Sequence, residues 1–78
     1  RKIYNSERWR RLRAMKFAIS PLCEMCEKDG RVVPAEDIHH IVSFMDVTDP
    51  EQRYLLAYDL NNLMSLCKRH HQAVHNRR

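Results

Sequence analysis

The chain has 78 residues, with 14 Lys+Arg against 10 Asp+Glu for a net +4, one Gly and three Pro. That length fits one domain over 1–78, and 44% apolar with 31% charged residues excludes both a disordered tail and a membrane span. No apolar run nears the roughly 18 residues of a spanning helix, and none follows the basic N-terminus as a secretory leader requires. Taken in chain order, Asn5 or Ser6 can cap a helix in which Trp9, Leu12, Met15 and Ile19 recur every three to four residues and face inward. Trp9 reads as a core anchor of that helix. Ser20-Pro21 ends it, because the residue before proline avoids helical dihedrals. Asp29-Gly30 marks a tight turn, with Arg31-Val32-Val33 extended after it. Residues 36–42 read as a short strand, Ile38, His40 and Val42 alternating with Asp37, His39 and Ile41. Asp49, Pro50 and Gln52 form a helix-start signature for an inserted helix running to Tyr58, with Tyr54, Leu55 and Tyr58 inward. Asp59 to Asn62 is a polar loop, Leu63 to Leu66 a second short strand, and Lys68 to Asn76 a basic helix.

A domain this small buries only about 60% of its unfolded surface and usually needs a disulfide or metal staple. Three Cys cannot complete a disulfide set and point away from an oxidising compartment, whereas five His beside them favour a metal. Cys23-x-x-Cys26 and Cys67-x-x-His70 are half-sites whose two-residue gaps let both side chains turn onto one ion. With 40 residues between them they would close a large loop, where a clip constrains the unfolded chain most. Together Cys23, Cys26, Cys67 and His70 make a closed structural zinc site, with adjacent His71 the other choice of fourth ligand. Joining Cys23-x-x-Cys26 to His71-x-x-x-His75 gives the gaps of a two-Cys, two-His finger. Its 44 intervening residues, however, far exceed the ~12 of a DNA-reading finger.

A second histidine set remains. His71 and His75 are four apart, share a helix face and can converge on one ion. His39 and His40 are adjacent on a strand and point to opposite faces, so they must do different jobs. One can bind a metal while the other accepts a proton, a role suited to an unperturbed pKa near ~6.5. The charge is also segregated: residues 1–16 hold seven basic residues and one acid, residues 17–66 three and nine, residues 67–78 four and none. A basic head and tail around an acidic middle is the distribution of a polyanion binder.

The segments PLCEMCEKDGRVVPAEDIHHIV and NNLMSLCKRHHQAVH, with WRRLR ahead of them, resemble the HNH endonuclease family, in particular small phage-type members with a zinc-knuckle frame. The resemblance implies an α+β fold: a zinc-stapled ββα-metal (His-Me finger) core with an N-terminal and an inserted helix. By position it makes His40 the general base and His39 a ligand of the catalytic ion. Asn62 becomes the central Asn that orients the base, chosen over Asn61 because Leu63 follows it. His71 and His75 complete the ligand set. Many members carry Asp where His39 stands, so an all-imidazole site would favour Zn2+, Ni2+ or Mn2+ over Mg2+. Cys is usual where His70 stands, and Pro where Ser43 stands.

The implied activity is metal-dependent hydrolysis of DNA phosphodiesters, by nicking or double-strand cleavage, in a cytoplasm that is bacterial or phage-infected. Structural Zn2+ and a catalytic divalent cation are the implied cofactors. Arg8, Arg10, Arg11, Arg13, Lys68 and Arg69 would hold the DNA backbone. Beside DNA, a second copy of the chain or a phage packaging protein is the implied partner, and no membrane is. The rival reading is a catalytically inactive zinc module that binds DNA or protein; such a module has no need of His40 beside His39.

Overall fold

The computed structural model of the chain describes residues 2–75. Its centre is a two-stranded antiparallel sheet of β1 (Asp37–His40) and β2 (Leu63–Leu66), in which His39 faces Met64 and His40 faces Leu63. Four helices surround it: α1 (Glu7–Ile19), α2 (Glu24–Lys28), α3 (Pro50–Ala57) and α4 (Lys68–His75). Short 3-10 turns at Phe44–Asp46 and Leu60–Asn62 bracket α3, so the inserted helix lies between the two strands in sequence. The expected strands, inserted helix and basic C-terminal helix are all present. The expected end of the last helix at Asn76 lies outside the described residues. No helix among the described residues is long and apolar enough to cross a membrane.

Local chemistry sets the boundaries. Ser6, not Asn5, caps α1 by accepting a hydrogen bond from Trp9 N–H at 3.1 Å. Asp49 caps α3 through Gln52 N–H at 3.0 Å, with Pro50 in the first turn where its missing N–H costs nothing. Gly30 takes φ +74°, a left-handed conformation that suits glycine, and closes the turn after α2. The chain then runs back extended, and Cys23 N–H donates to Val33 O at 2.7 Å. Helix α2 itself, which starts after Cys23 and contains Cys26, is an element the sequence reading did not anticipate.

Three small apolar clusters make the core. Cys23, Cys26, Leu66 and Cys67 form one; Ile3, Phe44 and Ala57 another; Trp9, Ile38 and Leu63 the third. Each large side chain buried in this way contributes about 1.5–3 kcal/mol, so so small a core leaves much for a cross-link to supply.

Two inward faces differ from expectation. Helix α1 buries Trp9 and Lys16, while Met15 and Ile19 are exposed. A buried lysine explains the shift: Lys16 Nζ is 3.0 Å from Glu24 Oε2, and the same carboxylate oxygen accepts Ser65 N–H at 2.7 Å. This ionic link ties α1 to α2 and β2, rotating the apolar ridge outward. In α3, Tyr54 and Leu55 are exposed, and the helix rests instead on Leu56, Ala57 and the following Tyr58. The fully buried Ala57 lets α3 approach Phe44 closely, which a larger residue would prevent.

Candidate metal and catalytic centre

The Cys23-x-x-Cys26 turn opens α2, and Cys67-x-x-His70 joins the end of β2 to the first turn of α4. The two half-sites meet, with the donor atoms of Cys23, Cys26, Cys67 and His70 all within 4.8 Å of one another. His70 Nδ1 lies 3.4 Å from Cys23 Sγ and 3.3 Å from both Cys26 Sγ and Cys67 Sγ; Cys26 Sγ and Cys67 Sγ are 4.0 Å apart. Tetrahedral zinc with Zn–S near ~2.3 Å and Zn–N near ~2.1 Å puts sulfur and nitrogen about 3.6 Å apart and two sulfurs about 3.8 Å apart. The donor set therefore fits that ion. Its electrostatics ask for a cation as well. Burial alone pushes the Cys23 thiol up, but the Cys67 and Cys26 backbone, the Cys26 side chain and His70 outweigh it and hold it at about 6. Burial, followed by the Cys23 and Cys67 thiols, pushes Cys26 up to about 11. Several thiolates in one buried cluster repel each other unless a cation lies among them.

A separate cleft of about 250 Å³ is lined by His39, His40, His71 and His75, together with Tyr4, Ser43 and Phe44. Strand alternation separates the neighbours as expected. His39 turns to α4, its ring centre 5.5 Å from that of His71, which in turn is 5.7 Å from His75. The donor atoms of these three are less tightly gathered than the cysteine set, the group among the described residues that converges within 4.8 Å. His71 Nδ1–H donates to Asp37 Oδ2 at 3.1 Å, which directs the other ring nitrogen, Nε2, away from that carboxylate. Asp37 was not among the sequence candidates. The signal was the period of the strand: Asp37 and His39 are two apart and share a face.

His40 is buried on the opposite face, in an aromatic surround. Trp9 stacks on it at 4.8 Å between ring centres, and Phe44 and Tyr4 meet it edge-on at 5.0 and 6.2 Å. The core anchor read from the sequence thus packs directly on a catalytic candidate. His40 Nε2–H donates to Ala57 O at 3.0 Å, which fixes the tautomer and leaves Nδ1 as the acceptor nitrogen. Burial holds its pKa below the ordinary 6.5, with the Ala57 bond partly opposing, so the ring is neutral near pH 7.

Asn62 is buried, whereas Asn61 is exposed. Its Oδ1 accepts Val42 N–H at 2.9 Å, and its Nδ2 donates to Val42 O at 3.0 Å and Leu56 O at 2.9 Å. Its side chain therefore clamps the loop after His40 and the residue before Ala57, holding backbone next to His40 and to its hydrogen-bond partner. The basic residues are spread more widely. Arg10 and Arg11 reach Glu7 at 3.5 and 3.3 Å on the exposed face of α1. Arg8 lies over Tyr58 at 4.2 Å and Arg13 over Phe17 at 4.7 Å. Lys68 is 3.9 Å from Asp37, beside the cleft, and Arg69 is exposed on α4.

An antiparallel strand pair followed by a helix, with histidines from β1 and α4 across one cleft, is a ββα-metal architecture. The HNH endonuclease profile matches residues 23–77, and the chain belongs to that family. The crystal structure of the HNH endonuclease of deep-sea thermophilic bacteriophage GVE2, with manganese ion, is similar over 95% of this chain and 75% of that one. The TM-score is 0.78 and the identity 29%. No curated protein matches the sequence.

Proposed function

We propose that this nuclease hydrolyses DNA phosphodiesters with His40 as general base and His39, His71 and His75 as ligands of one divalent cation. The observation that carries the reading is the bond from His40 Nε2–H to Ala57 O, because it leaves Nδ1 as the lone-pair nitrogen of a residue that lines the histidine cleft. His40 Nδ1 takes a proton from the water that attacks phosphorus, and the bond from phosphorus to the leaving sugar oxygen breaks. Stacking on Trp9 and the Asn62 clamp hold the ring in place, which reduces the reorganisation needed at the moment of reaction. A cation at His39, His71 and His75 would supply Lewis-acid stabilisation of the charge that builds on the phosphate oxygens. The manganese of the phage GVE2 enzyme supports a divalent ion, and the imidazole set favours Mn2+, Ni2+ or Zn2+.

Asp37 orients His71 by accepting its Nδ1 proton, as carboxylates behind metal-bound imidazoles do. Zinc in the cysteine set fastens α2 to the β2–α4 junction, and with it the helix that carries His71 and His75. The basic residues of α1 and α4 hold the DNA backbone without reading sequence. Plasmid nicking by zinc-loaded protein tests the reading: cleavage should need added Mn2+ and stop with EDTA. Tight DNA binding with no cleavage under any divalent metal would mark a silent zinc module instead.

A further inference from the structure

A further cleft lies outside the histidine site. It measures about 570 Å³ and is lined by Lys2, Ile3, Thr48, Pro50, Arg53 and Tyr54. Among the described residues that line it, two are cations and none is a carboxylate. This is notable because Arg53 belongs to the acidic middle of the chain, where acids outnumber bases three to one. The acids beside it in sequence are turned elsewhere. Asp49 is occupied in capping Gln52 N–H, and Glu51 lines a neighbouring cleft with Arg8, Tyr58 and Asp59, the two clefts sharing Tyr54.

Arg53 is held in place by its surroundings. One guanidinium N–H (Nη1) donates to Val47 O at 3.1 Å, and the guanidinium lies 5.7 Å from the centre of the Phe44 ring. Arginine has five such donors, so the fork can still grip an anion. Tyr54 stacks on Tyr58 at 6.1 Å with ring planes 7° apart, yet remains half exposed. The cleft also adjoins the proposed active site: Phe44 meets both Arg53 and the His40 ring, and the consecutive residues Ile3 and Tyr4 line one cleft each.

We propose that this cleft is a subsite for the cleaved strand, taking a phosphate that flanks the scissile one on Lys2 and Arg53 and its base against Tyr54. It rests on the nuclease reading for what occupies the neighbouring cleft. A cationic pair beside an aromatic face is the pattern that binds single strands without regard to sequence, the cations following the backbone and the ring stacking a base. Thr48 adds a hydroxyl at the same wall.

The test is fluorescence anisotropy of a labelled single-stranded DNA and its duplex, with zinc-loaded protein, no added catalytic metal and a salt series. The double variant Lys2→Ala/Arg53→Gln should bind the single strand about tenfold more weakly, and its salt slope should fall by about 1.4, or 0.7 per cation. Tyr54→Ala should weaken the single strand about tenfold and the duplex less, because stacking needs an unpaired base. Arg53→Gln also loses the Val47 contact, so Lys2→Ala alone, with an unchanged thermal transition, must still flatten the slope by about 0.7. Displacement of the strand by millimolar inorganic phosphate from wild type but not from the double variant would also support the site. Unchanged affinity and slope in folded variants would overturn it. Absence of Mn2+-dependent nicking by wild type would instead contradict the nuclease reading and leave the slope to decide the subsite.

Discussion

Asp37 and His71 meet across the gap between β1 and α4, carboxylate oxygen to Nδ1 at 3.1 Å, and so join the strand that carries His39 to the helix that carries His75. Lys68 approaches the same carboxylate at 3.9 Å. A single side chain thereby sets the ring orientation of one proposed ligand and the spacing of two elements. Asp37→Ala should weaken Mn2+ binding at the histidine site by about 10–100-fold, the usual effect of removing such a support. Calorimetric titration of zinc-loaded protein measures this, and an affinity within twofold of wild type would assign Asp37 to packing alone.

Burial of His40 sets the pH dependence. Its folded pKa lies below 6.5, so the ring is neutral at neutral pH, and as the proposed base it should lose activity as pH falls through that lowered value. The nicking profile at saturating Mn2+ should therefore have its acid limb below pH 6.5. The same shift bears on stability. The unfolded chain protonates His40 more readily than the folded one, so the contribution is complete above the unfolded pKa and is lost on acidification. An acid limb above 6.5 would contradict this assignment.

Zinc should be required for folding. Cys23 and Cys26 are buried beside Leu66 and Cys67, and without a cation their thiol cluster has little to hold it together. Cys23→Ser should lose bound zinc and the cooperative thermal transition together. A sharp native-like melt in the zinc-free variant would show that the core alone suffices.

The Lys16–Glu24 pair makes a separate demand on stability. Lys16→Met removes the cation and leaves a partly exposed carboxylate bonded to Ser65 N–H, at a cost of about 1 kcal/mol. Lys16→Met/Glu24→Gln should recover part of that loss in urea unfolding. A change in the single variant below about 0.5 kcal/mol would place the pair with ordinary surface charges.

These two pairs also mark where the sequence was hard to read. Spacing alone was enough for the convergence of Cys23, Cys26, Cys67 and His70, for the two strands and for the caps, because two-residue gaps, period-two alternation and Asp-Pro starts act locally. It misjudged the inner faces of α1 and α3, since apolar periodicity treats lysine as outward and ranks Tyr54 and Leu55 above Ala57. Lys16 is inside because Glu24 and Ser65, far along the chain, receive it. Asp37 escaped notice for the same reason: its partner His71 is 34 residues away, and only the fold brings them together. For Asn62, the resemblance implied a role in orienting the base, and only the fold shows the contacts available for it: Val42 and Leu56 backbone, next to His40 and Ala57.

The division of labour between His40 and His71 is the central claim, and Mn2+ titration beside plasmid nicking of His40→Ala and His71→Ala measures it directly. His40→Ala should keep Mn2+ affinity while cleavage falls by about 10²–10⁴-fold, and excess metal should not restore it. His71→Ala should lose affinity and cleavage together, with partial recovery at high Mn2+. Loss of Mn2+ binding in His40→Ala, or full cleavage in either variant with structural zinc still bound, would contradict the account.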